Sequence, residues 1–314
     1  MKSRLKKLSI PTLVGLSTLA FVCLVLPPMI MLFIGFVTNM DKSDIDVLLS
    51  SARLIGVAMM AGYLTLFVVL WFFFLDKGDR KALFTSGEPI LRPFPLIFLP
   101  LTGGFMFSYI LSPWRTVVPE RYDFLSSGGI SLEAWQISEL TFSALLIMIA
   151  INILAPLIEE LFFRGMLLQG FAKEMTFWKS AVISSLIYGI MHFEGTSNLF
   201  ALAGMGFLLA LVFHLSRSLW VTIAAHAINS FFTIILNLTV LARWLSLRDA
   251  LKVQLMGGIL LIPLLGWLVY ELLHHHISLN EVPLPIYEHA PKGEARVYRA
   301  SEDPELQQEQ EPKE

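Results

Sequence analysis

The stretch Ala155-Pro156-Leu157-Ile158-Glu159-Glu160-Leu161-Phe162-Phe163-Arg164-Gly165 decides how this chain is read. Three charged residues interrupt a largely apolar run from about Glu139 to Ala172. A run of that length reads as a membrane-spanning helix. A charge at the centre of a bilayer costs at least about 2.5–3.5 kcal/mol on insertion scales, so each of these needs a reason. On a helix, Glu160 and Arg164 lie about 40° apart and share a face, so they can pair. Glu159 points about 100° away from Glu160 and has no local partner. The two carboxylates therefore have different jobs. Glu160 is neutralised by Arg164, whereas Glu159 is a buried carboxylate suited to accept a proton as a general base. Pro156 loosens or kinks the helix, and Asn152, one turn earlier, is expected to cap the backbone groups it frees.

Outward from this stretch the same contrast holds. Of 314 residues, 55% are hydrophobic and 15% charged, against about 25% charged in soluble domains. The net charge of −2 shows no basic excess and no basic stripe, which leaves a nucleic-acid partner without support. The single cysteine, Cys23, can form neither an internal disulfide nor a Cys-based metal site. It lies in an apolar run, where it packs or faces lipid.

Apolar runs near Ile10–Val37, Leu54–Leu75, Arg92–Ser112, Glu139–Ala172, Lys179–His192, Asn198–His214, Leu219–Leu241 and Val253–Leu273 predict an all-α polytopic membrane protein of about eight transmembrane helices. The first run follows the basic segment Met1–Leu8 and exceeds a signal-peptide core of about 7–15 residues, so it reads as an uncleaved span bent at Pro27–Pro28. Residues 1–138 would hold the N-terminal spans, 139–276 the core with the last span, and 277–314 a polar, solvated tail. With both termini inside, the inner segments carry sixteen of the 23 Lys and Arg residues and the outer segments seven. That asymmetry places both ends in the cytoplasm, and a bacterial inner membrane is the expected location.

Charged or polar groups recur at depth in two further spans. Glu159 stands 13 residues before Ala172, and His192 stands 13 residues after Lys179. At about 1.5 Å per residue, each lies roughly 20 Å from the turn that joins their helices. In an antiparallel pair they face each other. His226 and Asn229 share a face of a third helix. His226, about seven residues from its helix start, is placed about 10 Å shallower than the other two, a mismatch that only tilt or a high-lying turn reconciles. A carboxylate and an imidazole can hold and deprotonate a water, while a second histidine with an amide can stabilise an oxyanion. Ser184, Ser185 and Ser230 are weaker candidates as nucleophiles.

Other polar residues have simpler readings. His214 and Arg217 end a helix, where His214 snorkels. His274, His275 and His276 leave the last span at the interface rather than forming a metal cluster, and Glu271 there reaches water. Trp114, Trp220 and Trp244 sit near span ends as interfacial anchors.

At the deep residues the sequence resembles the CAAX protease and bacteriocin-processing (Abi) family. Glu159-Glu160-x-x-x-Arg164 is similar to its first motif. Tyr188-Gly-Ile-Met-His192 resembles the second, with Tyr where Phe is usual. His226 with Asn229 resembles the third, although Asn229 is three residues on and Ser230 occupies the usual fourth place. The resemblance covers about Glu139 to Phe232. It implies an intramembrane glutamic protease in which Glu159 activates water, His192 positions it, His226 and Asn229 form the oxyanion site, and Glu160 and Arg164 support the first helix. It also implies a membrane-associated protein or peptide, lipidated or not, as substrate, and no cofactor. Two other readings stay open. Glu159, His192 and His226 could bind zinc as a metalloprotease, though no H-E-x-x-H motif is present. Intramembrane carboxylates also serve transport, so a transporter or a scaffold is the third reading.

Overall fold

The computed structural model describes residues 9, 11–23, 52–84, 89–117, 148–192, 196–241 and 245–279. Every regular element among them is helical, and the protein is an all-α polytopic membrane protein. In chain order, α1 spans Pro11–Cys23. Helix α2 (Ala52–Val69) runs on through a π-turn, Leu70–Phe74, and α3 is Lys77–Phe84. Helix α4 is Pro93–Val117. A helical rod over 148–171 contains α5 (Ala155–Phe162) between two π-segments, Ala150–Leu154 and Phe163–Leu168. Then follow α6 (Phe177–Met191), α7 (Thr196–Ser216), α8 (Leu219–Leu241), α9 (Leu247–Ile259) and α10 (Leu261–His274).

Four stretches are long and apolar enough to cross a membrane: Pro93–Ile110, Leu199–Ser216, Leu219–Leu236 and Arg248–His274. The pair Met59–Phe74 and Lys77–Phe84 makes a fifth if it counts as one span. The expected eight are therefore not all met among the described residues. Residues 24–51 and 118–147, parts of the expected first and fourth spans, lie outside them, as does Trp244. Helix α6 is apolar but short.

The chain bends by 119° between α2 and α3. Reciprocal caps fix this elbow: the Asp79 amide donates to Asp76 Oδ1 at 2.8 Å, and the Asp76 amide to Asp79 Oδ2 at 3.3 Å. The Arg80 guanidinium donates to the carbonyls of Leu75 and Trp71 and lies over the Trp71 ring. Helix α3 then returns against the core. Leu83 packs beside Gly165, and Phe84 meets Trp220 with ring centres 5.2 Å apart.

Helix α4 is the strut against which α7, α8 and α9 pack, and α7 also packs along α6. In a bilayer such packing depends on close backbone approach at small residues. At Gly189 a Cβ would lie 2.7 Å from the Leu199 carbonyl oxygen and 3.2 Å from the Ala203 Cβ. Gly189→Ala is expected to wedge α6 off α7 and to destabilise the protein by about 1–3 kcal/mol. Unfolding in detergent followed by circular dichroism checks this.

Three expectations change. Asn152 does not cap the carbonyl freed by Pro156. Its amide donates to the Met148 carbonyl at 3.0 Å, and the π-segment before Pro156 accommodates the proline instead. His214 does not snorkel. It is buried, stacked on Phe177 with ring centres 4.1 Å apart, and its Nε2 donates to the Leu279 carbonyl at 2.9 Å. The reason is that segments 89–92 and 277–279 roof this end of α7: the amides of Ile90 and Leu91 donate to the Leu215 carbonyl, and Leu279 is itself buried. The third expectation is thus revised at its first residues, because 277–279 is packed rather than solvated. Residues 280–314 lie outside the described part. Glu271 is half-buried, accepting from Trp267 Nε1 and pairing with His275. Trp220 is exposed.

Candidate active site

The rod 148–171 delivers the acidic pair. Glu159 and Glu160 lie in α5, and Arg164 lies in the π-segment that follows. All three are buried. The π-turn does not break the pairing, since Arg164 Nη1 donates to Glu160 Oε1 at 2.9 Å. The second guanidinium nitrogen, Nη2, donates to the Gly206 carbonyl on α7 at 2.6 Å. Arg164 thereby ties the acidic helix to its neighbour as well as neutralising Glu160.

The depth match between Glu159 and His192 holds in space. His192, at the C-terminal end of α6, places Nε2 3.2 Å from Glu159 Oε1. Its Nδ1 lies 2.8 Å from the Tyr188 carbonyl. A carbonyl can only accept, so Nδ1 carries a proton. The contact between Nε2 and the carboxylate therefore needs a second proton shared by the pair. With Glu160 and Arg164 opposed, that shared proton balances the remaining carboxylate charge in an apolar interior.

His226 arrives from α8 and spans both carboxylates. Nδ1 lies 2.8 Å from Glu160 Oε1, and Nε2 lies 3.8 Å from Glu159 Oε2. The depth mismatch expected from its position in the helix is absent. The turn Ser216–Ser218 is buried beneath 89–92 and 277–279, so α8 starts inside the protein rather than at its edge. Tyr188 completes this wall. Its hydroxyl is 3.4 Å from His226 Nε2, its ring is edge-on to Phe163, and the Arg164 guanidinium lies 5.2 Å above it.

Asn229 stands apart. It is buried on the His226 face of α8, but its amide donates to Met205 Sδ at 2.9 Å and its Oδ1 has no hydrogen-bond partner. A Cβ at Gly104 would sit 2.7 Å from that oxygen, so a side chain there would require the Asn229 amide to turn. Ser230 is half-buried. Ser184 and Ser185 donate to the Ala181 carbonyl within α6.

Sequence reading missed Tyr63. This residue of α2 is buried and donates its hydroxyl to Glu159 Oε1 at 2.6 Å. The available signal was a phenol in an apolar span, since a buried hydroxyl requires an acceptor.

Glu159 Oε1 thus meets Tyr63 and His192, whereas Oε2 is buried without a hydrogen-bond partner and faces His226. The His192 side chain is 25% exposed, against 4% for Glu159 and 5% for His226, so the cluster opens on the His192 side. Among the described residues no group of three or more His, Cys, Asp or Glu side chains is arranged to hold a metal ion. The chemistry offered is proton transfer at a carboxylate flanked by two imidazoles.

Residues 141–232 match the family model described as type II CAAX prenyl endopeptidase Rce1-like. That interval contains all the clustered residues except Tyr63. The chain is also 28% identical over 116 residues to a Bacillus subtilis (strain 168) protein described as "Putative membrane peptidase YdiL". The match covers 37% of this chain and 47% of that protein, so the chain spans about half the length of the curated relative it matches. No solved structure matches the chain.

Proposed function

We propose that this chain, whose residues 141–232 match the type II CAAX prenyl endopeptidase Rce1-like model, is an intramembrane endopeptidase that hydrolyses a peptide bond with water activated by Glu159. The observation that carries the reading is the meeting of Glu159 with His192 and His226 from two separate helices in a buried, apolar setting. In the proposed step, Glu159 Oε2 takes a proton from a water, and the hydroxide adds to the scissile carbonyl. The oxyanion faces His226, whose Nε2 takes over the proton just received by Glu159 Oε2, donates it to the oxyanion as a hydrogen bond, and is supported in that state by Glu160 at Nδ1. Asn229 joins the oxyanion site by turning its amide away from Met205. Collapse of the tetrahedral intermediate breaks the C–N bond, and the leaving amine takes its proton from the partly exposed His192.

The substrate is a membrane-associated protein or peptide, lipidated or not, and the reaction uses no metal. The bilayer is a bacterial plasma membrane with both termini on the cytoplasmic side, as the distribution of Lys and Arg supports.

The test is cleavage of membrane-inserted and prenylated peptides by the purified full chain in vesicles, read by mass spectrometry. His192→Ala removes a hydrogen bond to a charged group, so cleavage is expected to fall about 10- to 100-fold. Full activity in His192→Ala would overturn the assigned role. Stoichiometric zinc whose chelation abolishes cleavage would overturn the metal-free step. Solute uptake that depends on Glu159 without any cleavage would overturn the protease reading in favour of transport.

A further inference from the structure

We propose that Tyr63 is a positioning residue of this site, so that the N-terminal helices, which lie outside the family match, complete the active centre. The inference rests on the proteolytic reading above. Tyr63 lies 96 residues before Glu159 in sequence, yet its hydroxyl donates to Glu159 Oε1 at 2.6 Å. Terminal carboxylate torsions are broad, so a buried glutamate held by one donor can exchange its two oxygens. Here Tyr63 and His192 converge on the same oxygen. That convergence aims the other oxygen, Oε2, at His226 and leaves it without a hydrogen-bond partner, as an oxygen that is to accept a proton requires. His192 alone would not hold this orientation, because it is the most exposed member of the cluster and approaches Oε1 at a longer 3.2 Å.

The frame that presents Tyr63 is built for rigidity. The α2–α3 elbow is locked by the Asp76–Asp79 caps and by Arg80. Helix α3 is braced on the rod at Gly165 and on α8 at Trp220. Both supports belong to the helices that carry Glu159 and His226, so displacement of the N-terminal pair would move the phenol relative to the carboxylate.

Two replacements of similar shape separate positioning from packing: 4-aminophenylalanine in place of Tyr63, which keeps a donor, and 4-methylphenylalanine, which does not. Tyr63→Phe serves as a third variant. With the full chain in vesicles, the methyl and Phe variants are expected to lose about 10- to 100-fold in kcat with KM unchanged. The amino variant is expected to stay within a few-fold of wild type. Equal kcat in the amino and methyl variants, or wild-type kcat in both donor-lacking variants, overturns the proposal.

Infrared difference spectra against wild type provide a readout that needs no turnover. Loss of the donor is expected to shift a carboxylate stretch, and that shift is expected to vanish in a Glu159→Gln background. An unshifted band overturns the proposal even if no peptide is cleaved. Absence of cleavage by wild type together with a shifted band instead overturns the protease reading and retains the contact.

Discussion

Glu159→Gln is expected to lower peptide hydrolysis by about 10²–10⁴-fold, the range by which a positioned general base accelerates a reaction. Glutamine keeps the volume of the side chain. It can also keep the acceptor for Tyr63, whose hydroxyl lies 2.6 Å from Oε1. What it loses is basicity at the oxygen that faces His226. The fold should therefore survive and the chemistry fail. Cleavage rates in vesicles and thermal unfolding of the same preparation check both halves. Wild-type cleavage in Glu159→Gln would remove Glu159 from the base role, and the rest of the proposed step with it. A large loss of stability would instead mean that the carboxylate charge is needed to neutralise the proton it shares with His192.

The features legible in the sequence were those set by regular helical geometry. The Glu160–Arg164 pair follows from i,i+4 spacing, and it survives although Arg164 stands in a π-segment, because a long guanidinium stem absorbs the change in winding. Glu159 and His192 meet because the turn at 172–176 is short and joins two antiparallel helices, so counting residues from it measures depth. The same counting misplaced His226. Its helix starts at a turn roofed by distant chain, and no local pattern announces that roof. His214 was misread for the same reason. The π-turns around α5 leave no period in the apolar pattern, and so the bonding of Asn152 to Met148 was not foreseen. Tyr63 carried only a weak signal, because one tyrosine in an apolar span resembles any interfacial aromatic until the tertiary fold supplies its acceptor.

Arg164→Leu is expected to destabilise the protein by about 3–5 kcal/mol, the usual result of removing one partner of a buried ion pair. Glu160 is completely buried, and one of its oxygens already lacks a hydrogen-bond partner. Its other oxygen accepts from Arg164 and meets His226. Without the guanidinium, the neighbouring group among the described residues that can neutralise that carboxylate is His226, and α5 also loses its tie to the Gly206 carbonyl on α7. Leucine fills part of the volume but neither role. The double variant Glu160→Gln with Arg164→Leu removes both charges, and it is expected to recover a large share of the lost stability because the penalty comes mainly from the stranded charge. Unfolding of the single and double variants in the same detergent gives the coupling directly. A loss below about 1 kcal/mol in Arg164→Leu would show that the pair is screened by water and that the cluster is open rather than enclosed. A full loss with no recovery in the double variant would instead assign the stability to the Arg164–Gly206 tie. In the first of those cases the Glu160–His226 contact would be screened as well, and the support proposed for a charged His226 would fall with it.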